Sequence, residues 1–231
     1  MKIPENVRWI IHTLQEHNFE AYAVGGCVRD TLLGRVPQDW DITTSAKPEE
    51  VKALFRRTID TGIEHGTVTV MIGKEGYEVT TYRVDGEYAD HRHPREVVFT
   101  PELKEDLRRR DFTINAMAYN DRTGIVDEFR GREDMKNGKI RAVGNPLERF
   151  DEDALRMLRA IRFAGQLGFE IEENTIAAIH EKADILRYVS AERIQVELVK
   201  LLNSKEPEKI FIAQKTCLLY TSPSPRDPKT S

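Results

Sequence analysis

Cysteine is nearly absent from this chain. Only Cys27 and Cys217 occur among 231 residues, which excludes a disulfide framework and leaves no thiolate set for a zinc site. Any metal must therefore bind through oxygen. No apolar run approaches the roughly 18 to 20 residues that a membrane span needs, and the polar, amphipathic N-terminus has no signal-peptide pattern. The expectation is a cytoplasmic protein with no membrane partner. An excess of one charge is also lacking. Lys and Arg number 35 against 39 Asp and Glu, a formal −4 with a pI near 5.9, so total charge announces no nucleic-acid partner. What is present is a 39% hydrophobic, 32% charged composition, that of a globular chain able to bury one good core or two small ones.

Positive charge is concentrated locally. Arg108, Arg109 and Arg110 are consecutive, and Arg156, Arg159 and Arg162 recur at threes, where phosphates could be gripped. A solvated face with helix salt bridges is the alternative.

Apolar positions Val7, Ile10, Ile11 and Leu14 predict an amphipathic helix over Pro4 to Asn18. A short strand, Ala21 to Val24, is broken by Gly25 and Gly26, and a helix resumes over Val28 to Leu33 and closes at Gly34. A second strand is expected over Asp39 to Thr43 and a helix over Pro48 to Phe55. Thr67 to Ile72 and Tyr77 to Tyr82 alternate and are β-branched, which predicts a hairpin turning at Gly73 to Gly76. Asp85 to Pro94 has no period and reads as a loop before the strand Val97 to Phe99. From Leu147 the pattern is helical: Leu155, Leu158, Ile161 and Phe163 face a core, with further helices from Thr175 to Lys182 and from Ala191 to Leu202. The fold class is therefore α+β, a mixed-sheet domain over 1–137 followed by a helical domain over 138–216. Residues 217–231 break the pattern. CLLYTSPSPRD at Cys217 to Asp227 matches the in-frame translation of a sequencing-library adapter and is set aside as a non-native tail.

Asp39 and Asp41 flank Trp40 in the expected strand, where alternate side chains share a face. Two carboxylates so placed suit Mg2+, which takes oxygen ligands at about 2.0–2.1 Å and keeps waters and substrate phosphates, and two such ions can serve attacking and leaving oxygens together. Alone, an Asp-x-Asp pair is common in loops. Upstream, however, Gly25 and Gly26 stand at a strand-to-helix turn, where the absence of Cβ lets backbone N–H groups approach a triphosphate. Arg29 lies about one turn into that helix, and Glu78 adds an acid on a later strand. Gly-Gly, Asp-x-Asp and a strand-borne acid stand in the order used by polymerase β-type nucleotidyltransferases.

The sequence VGGCVRDTLLGRVPQDWDI resembles the signature of class II tRNA nucleotidyltransferases and bacterial poly(A) polymerases. RRDFTINAMAYN, from Arg109 to Asn120, is similar to their sugar-reading motif, and ERFDEDALRMLRAIRFAGQLGF, from Glu148 to Phe169, to their base-reading helix. With AERIQVEL at Ala191 to Leu198, the resemblance covers essentially everything before Thr216. It implies a polymerase β-type head and an all-helical neck. It also implies that Gly26 and Arg29 contact the nucleotide, Asp39 and Asp41 hold magnesium, Arg110 and Asp111 meet ribose and phosphates, and Asp153, Arg156, Arg159 and Arg162 meet base and triphosphate. The implied activity is addition of C and A to the tRNA 3′ end from CTP and ATP without a nucleic-acid template. An A-adding enzyme, a poly(A) polymerase of the same family and an inactive RNA-binding module are the alternatives. Tyr88 to Pro94 resembles the loop with which CCA-adding members switch from C to A; His91 and His93 within it read as loop or RNA contacts.

Base reading also follows from chemistry. Asp153 and Arg156 are three apart, hence neighbours on a helix surface. Ionised Asp only accepts hydrogen bonds and Arg only donates. Cytosine and adenine each offer an amino donor beside a ring-nitrogen acceptor, whereas uracil and guanine reverse both, so one Asp/Arg pair can discriminate by roughly 10⁴ or more. A helical stripe at threes winds by about 300° per step, so all four residues cannot touch one base. For Arg162, a structural salt bridge stands beside the phosphate-contact reading.

Overall fold

The structure, a computed structural model, describes residues 1–86 and 97–209. The loop Tyr88 to Pro94 and the tail from Cys217 lie outside the described residues. Among those described, residues up to Glu133 form one compact unit and residues from Asp134 a second.

The first unit contains α1 (Glu5–Glu16), β1 (Ala21–Val24), α2 (Gly26–Leu32), β2 (Asp41–Thr44), α3 (Pro48–Leu54), β3 (Thr58–Gly62), β4 (Thr67–Ile72), β5 (Glu75–Thr81), β6 (Arg83–Asp85) and β7 (Val97–Phe99). After these come α4 (Leu103–Arg108), β8 (Ala118–Asn120) and β9 (Gly124–Val126), with α5 (Gly131–Lys136) at the change of unit. Seven strands form a mixed sheet in the order β3-β4-β5-β2-β1-β8-β9. Only β2 and β5 are parallel within it; the other neighbours are antiparallel. The apolar stripe of α1, Val7, Ile10, Ile11 and Leu14, is fully buried where the helix packs on β1 and β2. That burial is what the sequence periodicity encodes. The β4/β5 hairpin runs in register from Thr67↔Thr80 to Ile72↔Glu75. Gly73, at φ +62°, supplies the left-handed turn residue that suits the strands' twist.

Two boundaries beside the Gly25 turn differ from expectation. Strand β2 starts at Asp41, so Asp39 and Trp40 precede it. Asp41 pairs with Val24, the last residue of β1 before the Gly25 turn, and beyond that point β1 offers no edge. Helix α2 starts at Gly26 instead of Val28 because Gly25, at φ +81°, makes the whole turn itself.

The second unit contains β10 (Lys139–Ile140), α6 (Pro146–Glu152), α7 (Leu155–Leu167), β11 (Glu170–Ile171), α8 (Glu173–Lys182) and α9 (Ala191–Leu202). Among its described residues it is helical apart from one two-residue parallel ribbon, β10 with β11. Leu155, Leu158, Ile161 and Phe163 are buried as the pattern requires. Helix α7 packs along α9, where Gly165 lies so close to Leu201 that an added Cβ would come within 2.8 Å of its side chain.

A tighter contact occurs in the first unit. A Cβ at Gly131 would stand 2.3 Å from the backbone oxygen of Thr113, within the 3-10 turn Thr113–Asn115. Backbone cannot rotate aside as a side chain can, so Gly131→Ala should destabilise the chain by about 1–3 kcal/mol. The check is a urea melt, in which the midpoint should fall with unchanged slope.

Candidate functional site

The first unit brings eight of the expected residues to one end of the sheet. Pairing sets the arrangement. Ile42 is opposite Val79 across the parallel β2/β5 pair, so Asp41 and Glu78, one residue earlier on each strand, share a face. A cleft of about 1020 Å³ opens there, lined by Asp39, Asp41 and Glu78 together with Asn6, Trp40 and Tyr77. Asp39 joins from the loop before β2, not from the strand. Asp41 is exposed to the cleft but crowded by protein elsewhere. Loss of water raises its carboxyl above the ordinary value, Arg110 opposes that rise, and Asp39 adds to it. Glu78 is raised in the same way, first by loss of water and then by Asp41 and Asp39. Negative charge is therefore concentrated beyond what solvent relieves.

Beside the carboxylates lies the Gly25 turn. An added Cβ on Gly25 would approach the Arg110 guanidinium to 3.0 Å, so this glycine is required both by its φ of +81° and by space. Gly26 has the Arg29 guanidinium 3.6 Å from where its Cβ would be. Arg29 donates to Asn115 Oδ1 at 2.6 Å and to both oxygens of Asp30. Asn115 in turn donates to Asp111 at 3.0 Å, whose carboxylate also accepts from the Phe112 backbone N–H. Gly25, Gly26, Arg29, Arg110 and Asp111 are thus one constellation.

Two members escape a reading of the sequence. Asn115 links Arg29 to Asp111. Asp106, with its side chain wholly buried, is the more consequential. It accepts from Arg109 Nε at 3.0 Å and Nη2 at 2.8 Å, from Arg110 at 3.3 Å and from the Thr43 hydroxyl at 3.1 Å. Thr43 shares the face of Asp41, two residues along β2, so Asp106 ties the arginine run to the acidic strand. Burial alone would raise the Asp106 carboxyl. Arg109, Arg110 and the hydrogen bonds from Arg109 and Thr43 outweigh burial and hold it below the ordinary value. The available signal was the spacing: Asp106 lies three and four residues before Arg109 and Arg110 on α4 and its continuation. The Nε of Arg110 is buried with no hydrogen-bond partner.

The remaining four expected residues belong to the second unit. Asp153 is not on a continuous helix with Arg156. It caps the C-terminus of α6 in an extended conformation, φ −142° and ψ 102°, and α7 begins only at Leu155. The break follows from chemistry: Asp is a poor interior helix residue because its side chain competes for backbone N–H groups, and here Oδ1 accepts from the Leu155 N–H at 3.1 Å. The two residues remain neighbours through the bond from the Arg156 N–H to the Asp153 carbonyl, 3.0 Å. Asp153 pairs with Arg193 of α9 at 3.0 Å. Arg156 pairs with Glu152 and donates to the Arg149 carbonyl at 3.2 Å. Arg162 forms a buried ion pair with Glu197 of α9 and lies 3.9 Å over the Phe163 ring. Of the two readings left open for Arg162, this geometry is the salt bridge. Arg159 stands 5.4 Å from the same ring centroid.

Asp106 should mark the acid limit of the first unit. Its depressed carboxyl contributes stability in full above the ordinary carboxylate range and loses it as pH falls through the lower, folded-state value. Asp106→Asn should cost about 3–5 kcal/mol, because Arg109 and Arg110 lose their buried counter-charge, and should flatten that acid-side dependence. Denaturant melts from pH 7 down to pH 3 measure both effects.

Comparison with known proteins places this geometry. The family described as "Poly A polymerase head domain" matches residues 21–141, and that described as "Probable RNA and SrmB- binding site of polymerase A" matches residues 168–219. A CCA-adding enzyme of Levilactobacillus brevis is 52% identical over 204 residues, 88% of this chain and 51% of its own length. That of Enterococcus faecalis is 56% identical over 193 residues, 84% of this chain and 48% of its own. The solved CCA-adding enzyme of Bacillus stearothermophilus in complex with CTP superposes with a TM-score of 0.86 at 45% identity, over 94% of this chain and 53% of that one. The chain spans about half the length of the curated relatives it matches. With the glycine turn, the paired carboxylates and the arginine constellation all inside the first match, the chain belongs to the poly(A) polymerase head-domain family.

Proposed function

We propose that this chain carries the catalytic portion of a tRNA nucleotidyltransferase that adds C and A to tRNA 3′ ends from CTP and ATP, without a nucleic-acid template and in the cytoplasm. The observation that carries the reading is the meeting of Asp39, Asp41 and Glu78 at one sheet end beside the Gly25 turn and Arg110. The first unit is the nucleotidyltransferase head and the second the base-reading neck. The names of the relatives, CCA-adding enzymes at 52% and 56% identity, support addition of both nucleotides.

Each residue has a part that its chemistry suits. The turn at Gly25 and Gly26 lets backbone approach the triphosphate. Arg29 and Arg110, held by Asn115 and Asp106, meet phosphate and ribose with Asp111, and the unpartnered Nε of Arg110 leaves a donor for an anionic ligand. Asp39 and Asp41 would hold Mg2+, with Glu78 completing the acidic face. The raised carboxyls of Asp41 and Glu78 suit a cation that relieves their repulsion. Among the described residues no group of three acidic, His or Cys side chains could hold a metal ion by itself, so water and phosphate oxygens would have to complete the shell around Asp39 and Asp41. Bound there, magnesium would stabilise charge on the attacking 3′ oxygen and on the departing pyrophosphate. Asp153 accepts from the amino group of cytosine or adenine and Arg156 donates to the ring nitrogen beside it. Arg159 meets the triphosphate, and Arg162, paired with Glu197, braces the helix that carries it.

Two measurements test this. With tRNA lacking its terminal CCA, the chain in Mg2+ should extend 3′ ends with C and then A, not with U or G, and Asp41→Asn should lower the rate by about 10³-fold or more, the scale on which electrostatic catalysis is lost. Long A tracts on unrelated RNAs would instead identify a poly(A) polymerase. Thermal melts supply the second. Because folding raises the Asp41 and Glu78 carboxyls, their ionisation opposes stability as pH rises through and above the ordinary carboxylate range. Asp41→Asn should therefore melt higher than the parent in EDTA at pH 7 and lose the parent's rise in melting temperature on adding Mg2+.

A further inference from the structure

Asp153 is expected to choose the base, yet no helix holds it. It sits in the break between α6 and α7 with an extended backbone, so the direction of its carboxylate depends on what its oxygens touch. Oδ1 accepts from the Leu155 N–H at 3.1 Å. Among the described residues the other side-chain contacts of this carboxylate come from one atom: Nη2 of Arg193 lies 3.0 Å from Oδ2 and 3.4 Å from Oδ1. Arg193 is on α9, 40 residues further along the chain. One turn later on the same face, Glu197 pairs with Arg162 of α7. Helix α9 therefore grips both the start and the middle of the segment on which base selection is expected to rest. Glu197 is buried, only 4% exposed, so the α7/α9 packing is firm and Arg193 is delivered at a fixed height.

We propose that Arg193 is a positioning residue for base selection, fixing the Asp153 carboxylate so that it presents one oxygen edge to the amino group of cytosine or adenine. The inference rests on the base-reading role given to Asp153 under "Proposed function". A carboxylate has about four lone-pair sites. The Leu155 N–H and the two contacts of Arg193 occupy three, which leaves one direction open. Discrimination depends on that restriction. A carboxylate free to turn about its side-chain bonds can also accept the ring N–H that uracil and guanine present. The wrong base is then no longer left facing an unmatched group, which is where selectivity of this kind originates. Removing Arg193 should therefore erode selectivity more than it erodes the grip on the triphosphate.

The experiment is calorimetric titration of the full chain with CTP, ATP, UTP and GTP in Mg2+, for the parent, Arg193→Ala and Arg193→Lys. The parent should bind CTP and ATP well and UTP and GTP poorly. In Arg193→Ala the CTP-over-UTP preference should shrink by about tenfold, the effect of one lost charged hydrogen bond, while UTP affinity stays within about twofold by the same measure. Since a single nitrogen makes both contacts, an ammonium can replace it, and Arg193→Lys should restore most of the preference. An unchanged preference in Arg193→Ala overturns the proposal, and so does an equal weakening of all four nucleotides, the mark of a purely structural role. If the alanine variant does not fold, Arg193→Gln carries the same comparison. A parent that binds all four alike removes base reading by Asp153 itself, an outcome separable from failure of Arg193 alone.

Discussion

Strand β2 is paired on both edges, antiparallel to β1 and parallel to β5, and that double pairing decides what can meet at its start. The antiparallel edge brings the end of β1, and so the Gly25 turn, to Asp41. The parallel edge brings Glu78 to the same level, because parallel neighbours keep residues of like direction side by side. A one-residue slip of either register would turn Asp41 or Glu78 to the opposite face. Full burial of Ile42, Thr43 and Thr44 makes such a slip costly. The core thus sets the position of the acids that border it.

Within each unit the chain repeatedly sets an acid against arginine. Asp106 holds Arg109 and Arg110, Asp30 holds Arg29, and in the helical unit Glu152 holds Arg149 and Arg156 while Glu197 holds Arg162. A guanidinium fixed in this way loses little further freedom when an anion arrives. The near-neutral overall charge follows from the same habit. In these pairs positive charge is placed residue by residue beside its own counter-charge.

Much of the fold was legible. Helix α1, strand β1, the β4/β5 hairpin, β7 and helix α9 follow from apolar period and turn residues, all local signals. The strands β3, β8 and β9 went unassigned because they are three to five residues long, too short for an alternating period to show, and β8 also depends on β1, far away in sequence. The site was legible through its motifs, from the glycine pair to the carboxylates and the Arg-Arg-Asp run. Two things were not. Asp106 looks like one more surface acid in a charged helix until its burial is known. The placement of Asp153 on a helix with Arg156 fails because an i to i+3 spacing cannot reveal that the Asp side chain takes the backbone bond that would have continued the helix.

The pairing of β1 with β8, Ala23 opposite Tyr119, also bears on the order of events during synthesis. Strand β1 emerges early, yet one of its edges stays uncovered until almost a hundred further residues have been made. Contacts so distant in sequence form late and slowly. Until then a fully apolar strand, Ala21 to Val24, presents open backbone groups of the kind that nucleate misassembly. The Arg-Arg-Asp run and the 3-10 turn lie just ahead of β8, so closing that edge and assembling the arginine constellation are a single late step. A nascent chain that stops short of β8 has neither.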